Sequence, residues 1–119
     1  MKTHKELMVW QKAMELVKEV YRLVRLLPKE ELYALSDQMR RAVVSIPSNI
    51  AEGNARESEK EFLHFLSIAQ GSNAEIETQL LICRELGYIQ EDNIHLAFKL
   101  NEEVSKMLRA LIKKLKAKS

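Results

Sequence analysis

The feature that most restricts this chain is the spacing of its apolar residues. Trp10, Ala13, Val17, Val20, Val24 and Leu27 are separated by alternating steps of three and four, which places them on one face of a helix. Met14 and Tyr21 widen that stripe, so the first helix has more surface to cover than one bundle seam requires. Leu32, Leu35, Met39, Val43, Ile46 and Ile50 repeat the pattern. Phe62, Phe65, Ala69, Asn73, Ile76, Leu80 and Cys83 form a third stripe. Ile94, Ala97, Leu100, Val104, Leu108, Leu111 and Leu115 form a fourth.

Punctuation between the stripes sets the expected helix ends. Thr3 and Glu6 fit a capping box at the first helix, and Pro28 closes it. Pro47 lies inside the second stripe without shifting its phase, which predicts a continuous helix kinked at Pro47. Gly53 or Asn54 should end that helix. Ser58 and Glu61 form a capping box for the third, Gly87 suits its C-terminal exit, and Glu91 and Asp92 favour the start of the fourth. The expected helices are 6–27, 29–54, 58–86 and 91–116. Short connections make consecutive helices antiparallel. The prediction is an all-α, up-down-up-down four-helix bundle forming one domain over residues 1–119.

Composition agrees. Three glycines and two prolines are too few for the repeated turns of an all-β fold. With 46% apolar residues and a net charge of +2, disorder is not expected. One cysteine cannot form an internal disulfide. No apolar run approaches the roughly 18 residues of a membrane span, and the start of the chain has no signal-peptide core. A cytoplasmic protein that engages no membrane is the expectation.

Catalytic chemistry is sparse. Glu61 with His64, and Asp92 with His95, resemble halves of the Glu-x-x-His pattern of di-metal bundles. The first helix supplies only Glu15 and Glu19, both off its stripe, and Glu52 lies near the end of the second, so no metal site is expected. Cys83 falls on an apolar stripe and reads as a small core residue. No nucleophile elbow or phosphate-cradling glycine loop occurs. The chain is expected to be neither an enzyme nor a cofactor carrier.

Two polar constellations remain. Arg40, Arg41, Asn49 and Glu52 on the second helix, with Glu75 and Gln79 on the third, suggest a structural network fixing helix register. A hairpin about residues 54–57 would bring Arg40 near Gly71, where a glycine permits close approach, and let Arg40 or Arg41 reach Glu75. The alternative reading of this region is a nucleic-acid or partner site. The second constellation is basic. Lys106, Arg109, Lys113 and Lys116 share one face of the last helix, with Lys114 beside them. The last 19 residues carry six basic and two acidic side chains, leaving the rest of the chain at −2. Such a stripe can neutralise phosphates, though it also suits a solvated helix C-terminus.

Three stretches carry a family resemblance: Leu7 to Ala13, reading LMVWQKA; Arg40 to Gly53, reading RRAVVSIPSNIAEG; and Glu61 to Ser72, reading EFLHFLSIAQGS. Together they resemble the bacterial four-helix-bundle proteins encoded within intervening sequences of large-subunit ribosomal RNA genes, often labelled ribosomal proteins. Tyr33, Gln38, Glu75 and Gln79 also fit that pattern. The resemblance implies a bundle assembling as a homopentameric ring. The accessory protein of diversity-generating retroelements, which binds nucleic acid and partners a reverse transcriptase, resembles the same family. Gln70 stands where relatives commonly have a basic residue, and Asn54 and Ala55 precede Arg56. The expectation is an oligomeric, non-enzymatic scaffold contacting RNA or DNA through Arg56, Lys106, Arg109, Lys113, Lys114 and Lys116. The alternative is a ring assembly that binds a protein partner with no direct nucleic-acid role.

Overall fold

A computed structural model describes residues 3–118. Its elements are a 3-10 turn (His4–Glu6), α1 (Met8–Val24), a second 3-10 turn (Lys29–Glu31), α2 (Leu35–Asn54), α3 (Glu59–Glu85) and α4 (Glu91–Lys118). No strand occurs among the described residues. Each helix packs on two neighbours in the order α1, α2, α3, α4 and back to α1, so the expected antiparallel four-helix bundle is the fold. It measures 46 × 24 × 20 Å.

The core follows the apolar stripes except at Leu32, which is exposed, and for a change of phase on α1. On α1 the buried face is Val9, Ala13, Leu16, Val20, Leu23 and Val24. Trp10, Met14 and Val17 are only half-buried and Tyr21 is exposed. The first helix therefore carries two adjacent apolar faces, and the stripe read from sequence mixed them. Glu19 also departs from expectation, because it is buried. Arg22 compensates it with a two-pronged contact, Nε at 3.1 Å and Nη2 at 2.6 Å from the two carboxylate oxygens. That fork geometry is what arginine offers a carboxylate.

Two helix starts come later than the patterns indicate. The Thr3–Glu6 box is formed, with Thr3 N–H donating to Glu6 at 3.3 Å, but it caps the 3-10 turn, and α1 begins at Met8. Residues 29–34 are not helical continuations of α2. Ala34 has φ −122° and ψ −102°, outside the helical region. The Glu31 carboxylate accepts the Leu35 backbone N–H at 3.3 Å and the Tyr88 hydroxyl at 2.9 Å. It thus caps α2 while tying the first connection to the third. Beyond that point α2 runs unbroken through buried Pro47, as its uninterrupted stripe predicts.

The other termini follow local rules. Ser58 Oγ accepts the Glu61 N–H at 3.1 Å and donates to the Glu61 carboxylate at 3.1 Å. Gly87 has φ +72°. Its N–H donates to Arg84 O at 3.0 Å, and Tyr88 N–H donates to Cys83 O at 2.9 Å. This paired pattern is the Schellman exit that needs a left-handed residue after the helix.

The close approach expected at Gly71 falls at Gly53 instead. α2 ends at Asn54, in line with the expected stop at Gly53 or Asn54, and Gly53 itself is buried. It is the close-approach residue: a Cβ there would lie 2.8 Å from Phe62 Cδ1 and 2.8 Å from Phe65 Cβ on α3. Gly71 is exposed, and a Cβ there would meet nothing within 4 Å.

Candidate nucleic-acid interface

The basic end of α4 is built by its amphipathic period. Val104, Leu108 and Leu115 are buried in the bundle, with Leu111 and Ile112 half-buried beside them. Anchoring that face turns Lys106, Arg109, Lys113 and Lys116 outward, and all four are exposed together with Lys114. Lys106 pairs with Glu102 at 3.0 Å. Arg109 donates to Ser105 Oγ at 3.2 Å. Among the described residues, no acid lies within ion-pair distance of Lys113, Lys114 or Lys116.

Arg56 occupies the turn between α2 and α3, at the same end of the bundle because the helices alternate in direction. It pairs with Glu52 at 3.5 Å and lies over the Phe65 ring at 5.0 Å. Its charge is therefore partly engaged, like that of Lys106 and unlike those of Lys113, Lys114 and Lys116. Arg56 shares their end of the molecule but belongs to the α2–α3 side.

Between α3 and α4 runs a polar hollow of about 620 Å³, bordered by Gln70, Glu77, Phe98, Lys106 and Arg109. Its floor is a reciprocal amide pair. Asn73 Nδ2 donates to Asn101 O at 3.1 Å, and Asn101 Nδ2 donates to Asn73 O at 2.8 Å and to Asn73 Oδ1 at 2.9 Å. Both residues are only 4% exposed. The hollow widens the basic face of α4 with neutral hydrogen-bonding groups and the acids Glu77 and Glu102.

The polar network expected between α2 and α3 divides into separate links. Asn49 Nδ2 donates to Ser45 O at 2.8 Å and Ser45 Oγ at 2.9 Å, and Ser72 Oγ donates to Ser45 Oγ at 2.9 Å. That chain crosses from α2 to α3. Gln79 donates to Glu75 at 3.1 Å along α3. The Gln79 Oε1 atom is buried and has no partner among the described residues. Neither arginine pairs with Glu75. Arg41, its side chain 72% exposed, pairs with Asp37 at 2.9 Å one turn back. Arg40 donates to Leu32 O at 3.4 Å and borders the α1 side of α2 with Tyr21. Their directions around α2, toward solvent and toward α1, keep both away from α3.

The metal-pattern residues are placed apart. Glu61 caps the start of α3, where His64 stacks edge-on with Phe65 at 5.5 Å, whereas Asp92 and His95 begin α4 at the opposite end of the bundle. Cys83 is buried beside Met39, with Sγ 3.7 Å from Sδ. Burial, and then the field of Glu31, pushes its thiol up to about 11, which leaves it protonated near neutrality. Ser45 and Glu31 were not singled out by sequence. Both act through contacts with residues far along the chain.

The family model for the 23S rRNA-intervening sequence protein matches residues 5–110. The chain belongs to that family. The matched span includes all of α1, α2 and α3 and most of α4, ending before Lys113. A solved structure of a protein of unknown function from the S23 ribosomal protein family of Bacteroides thetaiotaomicron is similar to this intervening-sequence protein. It has 27% identity and a TM-score of 0.81, covering 88% of this chain and 95% of the other. No curated protein matches the sequence. No helix of the described residues is long and apolar enough to cross a membrane.

Proposed function

We propose that this protein is a non-enzymatic, self-associating cytoplasmic scaffold that contacts RNA or another nucleic acid through the basic end of α4. The observation that carries this reading is the set Lys113, Lys114 and Lys116, exposed and without an acid in ion-pair range among the described residues. Lys106 and Arg109 extend the same face toward the amide-floored hollow. Lysines at helical spacing, with no aromatic stacking platform beside them, suit phosphates rather than bases. The family description names an intervening sequence of 23S rRNA, which supports RNA as the first partner to test. Self-association, in a ring of five as the family resemblance implies, would gather several copies of this end.

The experiment is fluorescence anisotropy with labelled single-stranded RNA across a salt series. Each phosphate neutralised contributes about −0.7 to the slope of log affinity against log salt. Lys113→Glu with Lys116→Glu is expected to abolish binding at physiological salt. A binding curve insensitive to salt or to this double variant overturns the reading. A second reading, a protein-binding module, is favoured by the apolar groove between α1 and α2, where Trp10, Met14 and Val17 are only half-buried. Under it, the same double variant keeps its protein partner.

A further inference from the structure

Two apolar surfaces on neighbouring sides of the bundle are left uncovered within one chain. In the α1–α2 groove, Trp10, Met14, Val17, Val44 and Pro47 line a hollow of about 300 Å³. Tyr21 and Val44 continue it into a second hollow, of about 510 Å³, where Arg40 and Arg41 stand. On α3, Ile68, Gly71, Glu75, Thr78 and Ile82 recur at steps of three and four and so share one face. All five are exposed. A solvent-facing helical stripe ordinarily carries many charges; this one has Glu75 alone.

Their charges are complementary. In the groove, Asp37 compensates Arg41, but no acid among the described residues lies within ion-pair distance of Arg40. On the α3 face, Glu75 accepts a hydrogen bond from Gln79, and no cation among the described residues lies within ion-pair distance of it. One surface is thus an apolar groove with an uncompensated cation, and the other an apolar ridge with an uncompensated anion. Gly71, with open space where its side chain would be, notches the ridge. A bare glycine in an exposed helix destabilises the helix relative to alanine, and nothing inside the monomer fills the notch.

We propose that the α3 ridge of one copy seats in the α1–α2 groove of a second copy, with Glu75 facing Arg40. This rests on the self-association proposed above and assigns its surfaces. Because groove and ridge are different patches, the contact is heterologous, and repetition gives a closed ring or an open filament rather than an isologous dimer.

The test uses the full chain in light scattering and sedimentation. Gly71→Leu adds a side chain where the monomer is open, so helical circular dichroism should be unchanged while the assembly falls to monomer. Glu75→Arg should raise the concentration for half-assembly at least tenfold, and adding Arg40→Glu to it should restore assembly. Assemblies of unchanged size and affinity in Gly71→Leu and Glu75→Arg would overturn the assigned surfaces while leaving self-association standing. A monomeric parent chain would overturn both.

Discussion

Asn73 and Asn101 clasp each other across the α3–α4 seam with three hydrogen bonds, two of them to backbone carbonyls. The pair reads one helix against the other at a single register, since a shift by one residue would strand two buried amides. Asn101→Ala keeps the backbone carbonyl that accepts from Asn73 but removes the amide that donates to Asn73 Oδ1, stranding that oxygen in a closed site, and is expected to cost about 2–3 kcal/mol. Urea unfolding measures this. Asn73→Leu with Asn101→Leu should recover part of the loss, because apolar replacement of both partners removes the stranded groups.

Gly53→Ala puts a methyl group 2.8 Å from Phe62 Cδ1 and Phe65 Cβ. Better helix propensity would favour alanine by about 1 kcal/mol, but overpacking costs about 1–3 kcal/mol. The second effect wins where one of the opposing atoms is a Cβ fixed to the α3 backbone. A lowered thermal midpoint is the expected result; a raised one would show that α3 shifts freely.

Gln79 buries a carbonyl oxygen that has no partner among the described residues. Replacing an unsatisfied buried polar group with an apolar group of similar shape relieves a penalty of about 1–3 kcal/mol. Gln79→Met is therefore expected to be neutral or stabilising in denaturant unfolding, although it removes the donor to Glu75.

Cys83 titrates at about 11 in the folded chain, against an ordinary value of 9.0. Its folded value is raised, so the stability it contributes is complete below pH 9 and disappears as pH climbs from 9 to 11. Stability measured across that window should fall less steeply in Cys83→Ala. Iodoacetamide at pH 8 should modify the folded chain far more slowly than the chain in denaturant.

The number, order and direction of the helices were legible because each depends on a local period and a nearby cap. Ser58 and Gly87 behaved as short-range rules predict, and the helix is continuous through Pro47 as its stripe indicates. Phase on α1 was not legible: Leu16 and Leu23 share the core while Trp10 and Val17 flank it, and a helix with two apolar faces gives both spacings at once. The close approach at Gly53 rather than Gly71 has the same origin, since spacing says which residues share a face but not which face meets a neighbour. Among candidate site residues, the α4 lysines were legible from charge and period alone. The partners of Arg40 and Arg41 were not, because Asp37, Leu32 and Glu75 compete within reach of similar backbone positions and rotation around α2 decides between them.

The Glu31 carboxylate has a consequence for how the molecule opens. It serves Leu35 and Tyr88 together, so two turns separated by more than fifty residues share one anchor. Releasing the first turn also frees the tyrosine that covers the end of α3. The two connections at this end of the bundle are therefore expected to exchange their amide hydrogens as one cooperative unit rather than as independent loops, which hydrogen exchange read at each amide would check.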